Sequence, residues 1–166
     1  MTDTKTHSEA VTKLAQLVNG MHIAMLTTQG EGGKLESRPM GVQAAEFDGT
    51  LYFLTQRSSG KVQQVEQYPQ VNVAFADPGK NTYVSIAGRA KAYRDQATID
   101  RLWTPLDKAW FPKGKEDPAI EVLEVEAESA EYWDSPSSTF VQLYGFVKAT
   151  LTGTPPKGGE NERVEL

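Results

Sequence analysis

The chain has 166 residues, 39% of them hydrophobic, a net charge of -5 and a pI near 5.1, which fits one domain with a real core. The acidic balance argues against a nucleic-acid or anionic-membrane binder, whose affinity rests on a basic face. The absence of cysteine excludes disulfides, thiolate metal sites and cysteine nucleophiles.

In chain order, Thr6 and Glu9 have capping-box spacing, and Val11, Leu14, Ala15 and Val18 fall on one helical face before Asn19-Gly20. Residues 1–7 are expected to be flexible. Met21 to Thr28 reads as a strand containing His22, taken as a structural residue; Leu35 to Phe47 reads as a second strand interrupted by Pro39. Asp48-Gly49 marks a hairpin, and Thr50 to Thr55 a third strand. A short helix, Lys61 to Gln67, is followed by strands over Val71–Ala76 and Thr82–Tyr93. Gln96 to Lys108 reads as a helix, and Ile120 to Trp133 as a sixth strand with a bulge or change of face at Leu123-Glu124-Val125. Phe140, Tyr144, Val147 and Leu151 recur at helical spacing, and residues 153–166 read as a polar tail, disordered or pinned by a partner subunit. The expected fold is mainly β (α+β): a single domain over residues 1–166, built as a six-stranded antiparallel split β-barrel with flanking helices. No secretory signal or membrane span is visible, so a soluble, cytoplasmic protein is expected.

Chemistry concentrates in Leu54-Thr55-Gln56-Arg57-Ser58-Ser59-Gly60-Lys61, where the third strand passes into a helix. Free N–H groups at a helix start attract an anion, and Thr55, Ser58, Ser59, Arg57 and Lys61 add hydroxyls and charge. A solvated capping turn is the competing reading of the same residues. Arg38-Pro39-Met40 sits mid-strand, where Pro39 marks an edge or frees backbone groups for a flat polar ligand and Arg38 reaches solvent or that ligand. Trp133, at a strand end, either packs or stacks on a ring. The two scattered histidines give no metal-ligand spacing, so no metal is expected.

Arg38-Pro39-Met40, Tyr52-Phe53-Leu54-Thr55, Ser58-Ser59-Gly60-Lys61, Tyr68-Pro69-x-Val71 and Tyr83-Val84-Ser85-Ile86-x-Gly88 occur in an order that resembles the flavin-binding split barrels related to pyridoxamine 5′-phosphate oxidase. Tyr132-Trp133-Asp134 and the closing Gly159-Glu160-Asn161-Glu162 are similar to the general stress protein branch. The resemblance implies a homodimer with FMN at the subunit interface. Arg38, Pro39 and Met40 would line the flavin ring, Leu54 and Thr55 the flavin or ribityl chain, and Ser59 and Lys61 the phosphate, with Ser58, Arg57 and Gly60 as weaker candidates. Trp133 would cover part of the ring from the second subunit. The chain departs from the vitamin B6 oxidases at Gln43, where they have a lysine, at Gly60, where they have an arginine, and in lacking their C-terminal arginine-and-histidine motif. These departures point away from pyridoxamine phosphate oxidation. An FMN-dependent oxidoreductase with a small-molecule redox partner is expected, the rival being a non-catalytic flavin-binding or flavin-sensing protein. A deazaflavin or haem would be a third reading, with haem disfavoured because neither histidine is expected near the pocket.

Overall fold

The computed structural model describes residues 6–43, 45–135, 148, 150 and 159–166. Helix α1 (His7–Val18) starts where the capping-box spacing predicts: the Glu9 N–H donates to Thr6 Oγ1 (3.4 Å) and the Thr6 N–H to the Glu9 carboxylate (2.9 Å). Its apolar face buries Ala10 and Leu14, and Gly20 leaves the helix with φ +80°.

Seven strands follow: β1 (Ile23–Gln29), β2 (Leu35–Gly41), β3 (Thr50–Gln56), β4 (Gln70–Asp77), β5 (Thr82–Tyr93), β6 (Ile120–Asp134) and β7 (Glu160–Glu165). Helix α2 (Gly60–Gln67) joins β3 to β4. Helix α3 (Gln96–Leu102) and a 3-10 turn, Pro105–Ala109, lie between β5 and β6. The six expected strands form one antiparallel path, β2-β1-β4-β5-β6-β3, and β7 is added to β6. Beyond β2 the Val42 N–H donates to the His22 carbonyl, and the Gln43 N–H to the Tyr52 carbonyl on β3 (3.1 Å). That second bond bridges the two ends of the path, so the sheet curls into a split barrel around Leu26, Phe53, Val73, Ile86, Leu123 and Val125. A second cluster, Leu54, Ile99, Leu102, Phe111, Ile120 and Val122, packs outside it.

Several local expectations are corrected. Asp48-Gly49 makes a turn, with the Thr50 N–H on Asp48 Oδ1 and Gly49 at φ +108°, but no hairpin. β3 pairs with β6, Leu54 opposite Val122, because β2 is already paired with β1 and the Ala127 N–H takes the Gly49 carbonyl. The second strand stops at Gly41 rather than Phe47. The helix expected to reach Lys108 ends at Leu102, since Pro105 restricts the residue before it and cannot continue a helix. The irregularity of β6 lies at Glu128, skipped between the pairs Ala87↔Ser129 and Gly88↔Ala127. Val122 and Leu123 are buried together because they face the two different clusters.

The closing residues are not a loose polar tail. Glu160–Glu165 pairs with β6 of its own chain, Val164 opposite Ala130, and Lys13 of α1 bridges to Glu160 (3.1 Å). The helix expected at Phe140, Tyr144, Val147 and Leu151 lies outside the described residues. No helix among the described residues is long and apolar enough to cross a membrane.

Candidate functional site

A cavity of about 570 Å³ opens between the end of β2, the β3–α2 turn and the 3-10 segment. Of the predicted site residues it gathers Pro39, Met40, Leu54, Thr55, Ser59 and Lys61. β3 presents Leu54 and Thr55 as almost fully buried side chains, and the chain then enters α2 with Ser59 in the N-cap position. The Ser59 hydroxyl does not cap that helix; it lies 3.2 Å from Thr55 Oγ1, which also accepts from Lys61 Nζ at 3.2 Å. Two hydroxyls and an ammonium thus converge beside a helix start that no side chain caps. A Cβ at Gly60 would meet no atom within 4 Å, so the backbone there faces open space. Burial, and then the nearby Arg38 charge, hold the Lys61 ammonium below the ordinary lysine range. An anion bound here would oppose both by favouring the charged ammonium.

Arg38, Ser58, Gly60 and Trp133 do not line the cavity in their own chain. The Arg38 guanidinium donates to Thr28 Oγ1, the Leu26 carbonyl and Gln64 Oε1 of α2, and pairs with Glu36 at 3.5 Å. It does not line the cavity; with part of its side chain still in solvent, it ties α2 to the barrel and so positions the Ser59–Lys61 end. Burial lowers its pKa from the ordinary value, with Glu36 opposing. Arg57 turns away to Glu121 on β6 (2.8 Å). Trp133 is 40% exposed near the end of β6, opposite Tyr83 and Asn161.

The sequence reading missed the opposite wall. Thr104 to Phe111 contributes Leu106, Asp107, Trp110 and Phe111, and His22 and Ile23 also line the cavity. The expectation that neither histidine neighbours the pocket therefore fails for His22. Asp107 organises this wall: its Oδ2 accepts the Thr104 N–H (2.7 Å) and hydroxyl (2.9 Å), and its Oδ1 accepts from Gln43 Nε2 (3.1 Å). Thr-Pro-x-Asp, with a carboxylate three residues after a threonine and proline at the first helical position, was the available signal. Among the described residues no group of three or more metal-ligating side chains is assembled.

The family model described as "Pyridoxamine 5'-phosphate oxidase like" matches residues 9–157. The chain belongs to that family. Protein bli-3 of Neurospora crassa is 26% identical over 157 residues, covering 89% of this chain and 75% of the relative. A putative general stress protein 26 from Jannaschia sp. shares the fold, with a TM-score of 0.77 and 24% identity over 95% of this chain and 98% of that one. The general stress FMN/FAD binding protein from Xanthomonas citri is 30% identical, with a TM-score of 0.67 over 77% of this chain and 90% of that one. In this member of the oxidase-like family, a corner made by the Lys61 ammonium and the Thr55 and Ser59 hydroxyls shares one cavity with the apolar side chains of Pro39, Met40 and Leu54.

Proposed function

We propose that this chain is a cytoplasmic general-stress-type flavoprotein that binds FMN in the cavity and works as a flavin-dependent oxidoreductase on a substrate other than pyridoxamine phosphate. The observation that carries the reading is the convergence of Thr55, Ser59 and Lys61 at one end of a cavity whose walls include Pro39, Met40 and Leu54. A dianionic phosphate needs a cation with aligned donors, and a flat ring needs apolar walls. The Xanthomonas citri relative, described as FMN/FAD binding, supports a flavin.

Bound FMN supplies the redox chemistry, so the protein needs no acid–base pair of its own. Lys61 with the two hydroxyls holds the phosphate, Arg38 fixes the helix that carries Lys61 by way of Gln64, and Leu54 and Met40 keep water from the ring. A homodimer, with the partner's Trp133 over the ring, completes the reading. It is supported by the exposed Ile23, Met25, Tyr83 and Trp133.

Equilibrium dialysis with FMN and riboflavin tests the site. Lys61→Ala should weaken FMN about tenfold to hundredfold, the value of a charge-assisted bond, while leaving riboflavin within about twofold. Equal loss for both ligands removes Lys61 from a phosphate site. Anaerobic NADPH titration then separates enzyme from carrier: rapid bleaching supports the oxidoreductase, and indifference to reductant assigns a flavin carrier.

A further inference from the structure

The two ends of the cavity differ in charge. Lys61 is the only lysine or arginine among its described lining residues, and it stands at the phosphate end. The opposite end is lined by Leu106, Trp110 and Phe111, with His22 and Ile23 also on the cavity surface. The only carboxylate among the described lining residues is Asp107, whose two oxygens are engaged by Gln43 and Thr104. The Gln43 amide is neutral and brings no charge to this end of the cavity. An anionic substrate would therefore meet a carboxylate with no lysine or arginine among the described lining residues of that end to offset it. Leu106 and Trp110 are 82% and 78% exposed, the most exposed large hydrophobic side chains among the described residues. Holding both out of the core at the mouth of a cavity leaves apolar surface that a ligand can cover.

We propose that this end is a compartment for a second, uncharged, flat aromatic molecule of the quinone class, held against Trp110 and Leu106. The inference rests on the FMN reading, which commits Lys61 to the flavin phosphate. The Trp110 and Phe111 rings suit a planar partner, since aromatic surfaces pair in offset or edge-on contact. Asp107 acts as a positioning residue: through Thr104 and Gln43 it sets the turn from which Leu106 and Trp110 project. A phosphorylated substrate is disfavoured because the described lining residues supply no second lysine or arginine.

The experiment titrates the FMN-loaded protein with menadione, a neutral naphthoquinone, and separately with pyridoxine 5′-phosphate, and follows the oxidised flavin band in the dark. Menadione should perturb the band saturably, and pyridoxine 5′-phosphate should not. Trp110→Ala should weaken menadione about tenfold, the value of burying one large apolar side chain, and leave FMN within about twofold, with Trp110→Phe restoring most of the loss. Saturable binding of pyridoxine 5′-phosphate, or menadione binding unchanged in Trp110→Ala, overturns the compartment. If the wild type retains no FMN, the flavin reading falls, and menadione quenching of tryptophan emission is measured on the unloaded protein instead. A weaker curve in Leu106→Ser than in the wild type keeps the compartment, and coincident curves overturn it.

Discussion

The β3–α2 wall of the cavity hangs on a continuous ladder, Thr50–Gln56 against Ile120–Glu126, whereas the Thr104–Phe111 wall hangs on the carboxylate of Asp107 and a short 3-10 turn. The first buries Leu54 and Thr55; the second leaves Leu106 and Trp110 in solvent. A ladder fixes atoms through many cooperative bonds, which suits recognition of an invariant group such as a phosphate. A turn fixed by the Asp107 carboxylate and by Phe111, which packs in the cluster that holds Leu54, has fewer anchors than a ladder and can be altered with less disturbance to the barrel, which suits the part of a site that chooses among substrates.

The largest way to break this contrast is to damage the frame both walls share. A Cβ at Gly88 would lie 2.2 Å from the Glu126 carbonyl oxygen, a backbone atom that cannot step aside. Gly88→Ala should therefore cost about 3 kcal/mol in urea denaturation, with both walls lost together. Next comes Asp107→Ala, which strands the Thr104 N–H and the Gln43 amide. The loss should be about 2 kcal/mol, with hydrogen exchange accelerated in residues 104–111 and unchanged in β3. Acceleration spreading equally into β3 would show that the walls are one unit.

The ladder wall is sharpened by pH. Because the Lys61 pKa lies below the ordinary lysine value in the free protein, and a neighbouring phosphate raises it, binding favours the protonated form. FMN affinity should be full below the free-protein pKa, fall as pH rises from there to the bound-state pKa, and level off above it. The fall should reach at most about tenfold per pH unit and vanish in Lys61→Ala, as read by dialysis across alkaline pH. Smallest for the fold is Trp133→Ala, which should change unfolding by less than about 0.5 kcal/mol while weakening self-association in sedimentation velocity. An unchanged association would take Trp133 out of the proposed dimer contact.

The ladder wall was also the legible one. Strand β5 was read with its full bounds because Thr82, Val84, Ile86, Gly88 and Ala90 alternate with more exposed neighbours, and the turn after β3 was marked by Ser, Gly and Lys where a helix begins. Arg38 was harder: its residue type and strand position suit a ligand contact and a bond to α2 equally, and only the packing of Gln64 decides between them. The Asp107 wall escaped because apolar residues at helical spacing carried the expected helix through Pro105. β7 escaped for the opposite reason, since Glu-Asn-Glu-Arg-Val-Glu has one apolar residue and its strand character comes from the partner it meets on β6.

That last strand bears on how the protein should be handled. From Ser129 to Asp134, β6 has a neighbour on each side, and on one of them the neighbour is β7. Trimming the chain after Gly159 would strip that side and present a row of unpaired amides and carbonyls, together with the newly bared Tyr132 and Ala130, to any other copy in solution. Loss of residues 160–166 in storage should therefore show first as turbidity, with the intact chain staying clear under the same conditions.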